Sequence, residues 1–149
     1  LTGSPWVLHV GSCIPRKRID VLLDVVAAVR QTLPELKLVK VGGEWTTDQK
    51  VQLERLGLTG SVVHVSGLSR ADLAEVYRRA PVVLVPSEAE GFGLPVVEAL
   101  ACGSPVIASD LPVLREVGGG VVTYRPVGDV PAWADAVVNH LSDRADSSD

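Results

Sequence analysis

Short apolar segments alternate with longer amphipathic segments along the whole chain. The apolar segments are three to six residues long and rich in valine, which is typical of strands buried in a parallel sheet. They predict strands at residues 7–10, 36–41, 62–65, 82–85, 106–108 and 121–124. Strands that alternate with helices predict an α/β fold, with one doubly wound, six-stranded parallel sheet covered on both faces.

The segments between these strands carry helix signals. Apolar residues recur at spacings of three and four between Ile19 and Val29, which predicts an amphipathic helix. Thr47 can cap the next helix, and Ser69 with an aspartate three residues later predicts the start of the third. A last helix is predicted over residues 131–141, and the polar tail that follows, residues 142–149, is expected to be disordered.

Ligands of doubly wound sheets bind at the carboxyl ends of the strands, where the strand order reverses. The loops that follow the first five predicted strands are therefore the places to search for a site. They cover residues 11–18, 42–45, 66–68, 86–94 and 109–112.

The fourth of these loops carries a pattern that favours an anionic ligand. Gly91 and Gly93 allow backbone to approach a ligand closely, and Pro95 suits the first turn of a helix. A strand, a glycine turn and a helix N-terminus together form an anion site, because free N–H groups and the positive end of the helix dipole face outward. Glu90 and Glu98 bracket this turn, and their carboxylates can bind hydroxyl groups beside the anion.

Three consecutive basic residues, Arg16, Lys17 and Arg18, lie in the first loop just before a helix. A short basic run is usually a solvated helix start. Cations at a helix N-terminus oppose the dipole, however, so local stability does not favour them there. Neutralisation of a diphosphate, for which Arg and Lys are suited, is therefore the interpretation we prefer.

The segment from Glu90 to Ala108 resembles the E-x7-E element of the retaining GT-B glycosyltransferases of family 4. The shared pattern is E-G-F-G-L-P-x-x-E-A-x-A-x-G-x-P-V-I-A, and the glycines at Gly11 and Gly42 also match the family. The resemblance implies one half of a GT-B fold, with residues 1–141 as the donor-binding domain. It also implies an N-terminal acceptor domain that this sequence does not contain.

The resemblance further implies roles for individual residues. Glu98 is expected to bind the ribose hydroxyls and Glu90 the donor sugar, while Lys17 grips the diphosphate. Ser12 stands where the family often has an arginine, so that Arg16 or Arg18 is expected to substitute for it. The remaining expected donor contacts are Gly11, Gly91, Leu68, and the backbone N–H groups of Phe92, Gly93 and Leu94. Leu68 is equally well explained as a core residue.

Composition narrows the classes of function. A net charge of −4 does not favour binding to nucleic acid, which needs a basic surface. No apolar run approaches the roughly 20 residues that span a bilayer. Cys13 and Cys102 lack metal-ligand spacing and are expected to be reduced thiols. The protein is therefore expected in the cytoplasm, or at the inner face of the membrane in its full-length form. The absence of methionine suggests a fragment or a processed product. We expect no metal and no cofactor.

These observations predict the donor-binding half of a retaining, metal-independent glycosyltransferase, inactive on its own, whose donor is a nucleotide diphosphate sugar. Two alternatives stay open: a non-catalytic nucleotide-sugar-binding module and a GT-B nucleotide-sugar epimerase. A hydrolase with paired carboxylates does not explain the anion site. A nicotinamide dehydrogenase is disfavoured because the turn lacks the third glycine of G-x-G-x-x-G.

Overall fold

The computed structural model describes residues 3–147, with side chains described for residues 3–144. Its strands are β1 (Trp6–Val10), β2 (Lys37–Val41), β3 (Val62–Val65), β4 (Val83–Val85), β5 (Val106–Ser109) and β6 (Thr123–Arg125). Its α-helices are α1 (Ile19–Arg30), α2 (Thr47–Arg55), α3 (Arg70–Arg79), α4 (Leu94–Ala101), α5 (Pro112–Gly118) and α6 (Val130–Ser147). Short 3-10 helices lie at Pro15–Lys17, Thr59–Ser61 and Gly119–Val121.

All six strands are parallel and lie in the order β3-β2-β1-β4-β5-β6. The predicted doubly wound, six-stranded parallel sheet is confirmed. The order reverses between β1 and β4, where Leu8 pairs with Val83 and the Leu8 N–H donates at 3.0 Å to the carbonyl of Val82, the residue before β4. The loops that follow these two strands therefore lie side by side, at the position where sheets of this kind bind ligands.

Helices cover both faces of the sheet, and each face has its own core. Alternation along β1 sends Val7 to the face covered by α1 and α6, and Leu8 to the face covered by α3 and α4. The first core contains Leu22 and Trp133, both with 0% exposed surface. Full burial of a leucine such as Leu22 stabilises the fold by roughly 1.5–3 kcal/mol.

The structure differs from the sequence prediction near the C-terminus. A short helix, α5, follows β5 where none was expected, because three consecutive glycines, the first of which is the last residue of the helix, obscure the helical pattern. The sixth strand begins at Thr123 because residues 119–121 form a 3-10 turn. Helix α6 continues to Ser147, past the predicted end at residue 141, since residues 142–147 contain no glycine or proline to stop it. The rest of the predicted tail, residues 148 and 149, lies outside the described residues.

Candidate functional site

Loop one, residues 11–18, crosses the carboxyl end of β1 and turns back into α1. Gly11 has φ +140°, and its N–H donates to the Val41 carbonyl at 2.9 Å, which ties the loop to the end of β2. Arg18 adopts the left-handed conformation, with φ 52°, immediately before α1. Of the two basic residues before this turn, Lys17 is buried, with 9% of its surface exposed, whereas Arg16 is exposed.

Loop four, residues 86–93, holds Glu90 against loop one. Glu90 Oε2 accepts from Lys17 Nζ at 2.7 Å and from the Ser87 hydroxyl at 2.6 Å. The side chains of Lys17 and Glu90 are only 11% and 5% exposed. A further hydrogen bond, from the Glu88 N–H to the Arg16 carbonyl at 2.9 Å, joins the two loops through their backbones. The structure thus brings Lys17 and Glu90, 73 residues apart in sequence, into one buried ion pair.

Only one oxygen of the Glu90 carboxylate is used in this arrangement. Both donors, Lys17 and Ser87, bind Oε2, and no described residue donates a hydrogen bond to Oε1. A carboxylate held in one orientation with a free acceptor oxygen is suited to bind a hydroxyl group. Sequence reasoning missed Ser87, although a serine three residues before a predicted site carboxylate was the available signal.

The N-terminus of α4 completes this side of the site. Its N-cap, Gly93, has φ 68°, and a Cβ at this position would lie 2.8 Å from Val117 of α5, so only glycine fits. No side chain caps this helix end, and the backbone hydrogen bonds of the described residues leave the N–H groups of Gly93 and Leu94 free. Phe92 and Leu94 project outward, with 79% and 56% of their surfaces exposed. The helix end therefore keeps the free donors and the positive dipole that suit an anion.

Glu98 lies one turn further along α4 and contacts a tyrosine that sequence reasoning did not assign to the site. The Tyr77 hydroxyl, from α3, donates to Glu98 Oε2 at 3.3 Å. Burial of Tyr77, then the charge and the hydrogen bond of Glu98, raise the pKa of the phenol far above its ordinary value. Tyr77 therefore stays protonated and acts as a hydrogen-bond donor that orients the exposed Glu98.

These groups surround one cleft of about 390 Å³. It is lined by Val10, Gly11, Arg16, Lys17, Tyr77, Glu90, Gly91, Phe92, Leu94, Pro95 and Glu98. A neighbouring hollow of about 740 Å³ shares Tyr77 and Glu98 and extends along α3 past Arg70 and Leu73. Most of the residues that the sequence singled out are thus gathered around one opening.

Four of the singled-out residues do not line the cleft: Gly93 is the buried N-cap of α4, and the other three lie elsewhere. Leu68 is half-buried against the core on the α3 face and does not line the cleft. Ser12 lies over Gly43 of the second loop, outside the cleft lining. Arg18 faces a different hollow, of about 490 Å³, where its guanidinium bonds to Asp20 at 3.1 Å. Of the two arginines proposed to replace one at position 12, Arg16 is the one that lines the cleft.

Other features of the described residues bear on what the site can hold. No group of three or more His, Cys, Asp or Glu side chains among residues 3–144 is placed to hold a metal ion. Cys13 and Cys102 are free cysteines. Within residues 3–147, no helix combines the length and the apolar character needed to cross a membrane.

This α/β domain carries cations, carboxylates and a free helix end at the switch point of a doubly wound sheet, an arrangement that suits anionic ligands. The chain belongs to the family of glycosyl transferases group 1, whose model matches residues 4–143. The resemblance seen in the sequence is confirmed.

Relatives and solved structures agree with this family. D-inositol 3-phosphate glycosyltransferase of Mycobacterium sp. (strain KMS) is 39% identical over 147 residues, covering 91% of this chain and 32% of the relative. Sucrose-phosphate synthase from Thermosynechococcus elongatus superposes with a TM-score of 0.81 and 33% identity, over 96% of this chain and 37% of that chain. HepE from Anabaena, solved in complex with UDP and glucose, superposes with a TM-score of 0.83 and 26% sequence identity. The match covers 95% of this chain and 40% of that chain. The chain spans about a third of the length of the curated relatives it matches.

Proposed function

We propose that this chain binds the donor of a retaining, metal-independent glycosyltransferase, which moves a sugar from a nucleotide diphosphate sugar to an acceptor. The observation that carries the proposal is the buried Lys17–Glu90 pair beside the free N-terminus of α4. A cation and a helix end suit phosphate, while a carboxylate with a free oxygen suits sugar hydroxyls, and here both lie in one cleft. The acceptor is held mostly by a further, N-terminal domain of the parent protein.

Each group has one task in the proposed complex. Lys17, Arg16 and the N–H groups at the start of α4 bind the diphosphate, and Glu90 Oε1 binds a hydroxyl of the donor sugar. Glu98, oriented by Tyr77, binds the ribose hydroxyls. Gly11 and Gly91 let the backbone approach the ligand in the same cleft.

The reaction begins as the bond between the anomeric carbon and the diphosphate breaks. The electron pair leaves with the diphosphate, whose growing negative charge Lys17, Arg16 and the α4 terminus stabilise. The acceptor hydroxyl then bonds to the anomeric carbon on the same face, and its proton passes to the departing phosphate oxygen. Since protein cations neutralise the charge, the proposal needs neither a divalent ion nor a cofactor, and chelation of metals is expected to leave the activity of the full-length protein unchanged.

The comparisons supply support of a different kind. The name of the mycobacterial relatives specifies sugar transfer, and the Anabaena structure contains UDP and glucose. The free thiols of Cys13 and Cys102 are in keeping with the predicted cytoplasmic location, which stays part of the proposal. No observation favours the epimerase or the non-catalytic module over a transferase.

A binding titration tests the proposal. This chain is titrated with UDP, GDP and ADP by calorimetry, with Glu98→Ala as the variant and Asp20→Ala, on the other side of loop one, as the matched control. The proposal predicts saturable binding of at least one nucleotide, weakened by Glu98→Ala and unaffected by Asp20→Ala. Equal binding by all three proteins would place the nucleotide outside the cleft and contradict the assignment.

A further inference from the structure

A second lysine, Lys40 on β2, lies beneath loop one and is completely buried. No ion pair joins it to a carboxylate of the described residues, which makes it unlike Lys17. An isolated buried charge is costly, so such groups are rarely retained without a partner. Packing of the core alone therefore does not explain why a lysine is buried at position 40.

The hydrogen bonds of Lys40 are all with backbone carbonyls at the ends of β1 and β2. Its Nζ donates to the Gly42 carbonyl at 2.8 Å, to the Gly11 carbonyl, and more weakly to the Val41 carbonyl at 3.4 Å. Three acceptors match the three N–H groups of an ammonium ion. Lys40 thus clamps loop one to the loop that follows β2.

Two other basic groups lie close to Lys40. His9 is its register partner on β1, is 2% exposed, and has an Nδ1 without a hydrogen-bond partner among the described residues. Burial, then the charges of Lys40 and Lys17, hold the pKa of His9 well below its ordinary value. Burial also lowers the pKa of Lys40; Cys13 opposes this shift and Lys17 adds to it. Lys40 is therefore a buried positive charge under Gly11 that no carboxylate of the described residues neutralises, whereas Lys17 is paired with Glu90.

The clamp also fixes the orientation of one peptide group. Lys40 lies between Val39 and Val41, which face α3 and α4, so its own side chain lies on the α1 face of the sheet. The Gly11 carbonyl points to that face, and because no peptide bond is cis, the N–H of the same peptide plane, that of Ser12, points the opposite way. The opposite face is the one on which Tyr77 and Glu98 border the cleft. No backbone hydrogen bond of the described residues uses the Ser12 N–H.

We propose that Lys40 is a positioning residue of the diphosphate site, which aims the Ser12 N–H at the phosphates and adds its own buried positive charge beneath them. The inference rests on the proposed function and deepens it. The diphosphate supplies the anion that Lys40 lacks. All hydrogen bonds of Lys40 go to backbone carbonyls, those of Gly11, Val41 and Gly42, so it acts on the ligand through the loop.

The test compares the wild-type chain with Lys40→Met, which keeps the length of the side chain but removes its charge and donors. Leu38→Ala is the matched control, because Leu38 is also fully buried on β2 and faces the same side of the sheet. Leu38 lies two residues before Lys40 and is therefore further from the loop. Each protein is titrated with UDP and with uridine, which has no phosphate, by ¹H–¹⁵N NMR, and GDP with guanosine or ADP with adenosine replaces them if UDP does not bind.

In the wild type we expect the Ser12 amide proton to shift downfield as the diphosphate binds. Lys40→Met is expected to weaken diphosphate binding roughly tenfold, the scale of one buried charge near an anion, and to abolish the Ser12 shift. Binding of the nucleoside is expected to change less than about twofold, since the nucleoside carries no charge for Lys40 to act on. Leu38→Ala lowers stability but keeps the ratio of the two affinities.

Two results would overturn the inference while the proposed function stands. One is a Lys40→Met protein whose ratio of diphosphate to nucleoside affinity equals that of the wild type. The other result concerns the wild type and does not depend on whether Lys40→Met folds. It is a titration in which the nucleotide shifts other amides of the cleft but not the amide of Ser12. Failure of the wild type to bind any of the three nucleotides would instead contradict the proposed function, and the inference with it.

Discussion

The two sides of loop one differ sharply, although three adjacent residues supply the cations of both. On one side, Arg16 and Lys17 border the cleft that also holds Glu90 and Glu98. On the other side, Arg18 borders a hollow of about 490 Å³ whose other charged residues are acidic: Asp20, Asp48 and Glu88.

The difference lies in how completely the charges are satisfied. Both ends of the Arg18 guanidinium bond to Asp20, and these hydrogen bonds lower the pKa of the Asp20 carboxyl below its ordinary value. On the cleft side, Arg16 has no ion pair with a described residue, and Glu90 keeps one free oxygen. Adjacent basic residues in a sequence can therefore face different surfaces of the fold. The side on which charged groups lack partners is the side suited to bind a ligand.

The largest effect is expected when the buried pair of the cleft is broken. Lys17→Met leaves Glu90 buried with only Ser87 as a partner, which costs about 3 kcal/mol of the free energy of unfolding. Urea unfolding at pH 7 measures the loss. Adding Glu90→Gln to Lys17→Met is expected to recover at least half of it, since the uncompensated charge is gone. A loss below about 1 kcal/mol would show that solvent screens the pair as it screens a surface ion pair.

The next effect compares carboxylates on opposite sides of loop one. Glu98→Ala is expected to weaken nucleotide binding about tenfold, near 1.4 kcal/mol, because it removes the acceptor proposed for the ribose. Asp20→Ala is expected to change the affinity less than about twofold, because the bidentate ion pair between Asp20 and Arg18 borders the other hollow. Calorimetric titration measures both, and equal losses would remove the distinction between the two sides.

A smaller effect comes from His9, which lies beneath loop one. Its folded-state pKa is lowered well below 6.5 by burial and by Lys40 and Lys17, so as the pH falls below 6.5 the unfolded chain binds a proton that the folded protein does not. Stability is therefore present above pH 6.5 and lost below it, by about 1 kcal/mol between pH 6.5 and 5.5. Chemical unfolding over this range is expected to show the loss in the wild type and its absence in His9→Phe. Parallel pH profiles of the two proteins would mean that His9 protonates freely in the fold.

The smallest effect concerns the turn that divides the two sides. Arg18 has φ 52°, a conformation that glycine adopts without strain. Arg18→Gly is therefore expected to be more stable than Arg18→Ala by about 0.5–1 kcal/mol, although both lose the same exposed ion pair. Both variants are expected to bind nucleotide as the wild type does. Thermal unfolding checks the order, and a more stable alanine variant would mean that the turn relaxes.

Much of the fold could be predicted because short apolar segments and helix caps are local signals. The six strands follow the valine-rich segments, and the glycine turn before Pro95 correctly placed α4. Helix α5 was missed because its seven residues are too few for a periodic pattern and glycines follow them. The C-terminus of α6 was misplaced because a polar composition does not by itself stop a helix.

The site divides in the same way. Glu90, Glu98 and Lys17 could be proposed from motifs, but their mutual geometry depends on the strand order, which brings residues 73 positions apart into contact. Tyr77 and Ser87 act through contacts with those carboxylates, which no spacing along the chain reveals. Lys40 left one signal, a charge between two valines in the interior of a strand, and the role of that charge depends on the backbone carbonyls around it.

The most direct test of the account is a map of the amide shifts caused by a nucleotide diphosphate. The uniformly ¹⁵N-labelled chain is titrated with UDP, GDP or ADP, and the perturbed amides are assigned. We predict the largest shifts at Gly11, Ser12, Arg16 and Lys17 and at residues 91–94, with Asp48 and Gln52 of the opposite hollow unchanged. Shifts centred on Asp48, Gln52 and Glu88 would place the ligand on the other side of loop one and contradict the assignment of the cleft as the donor site.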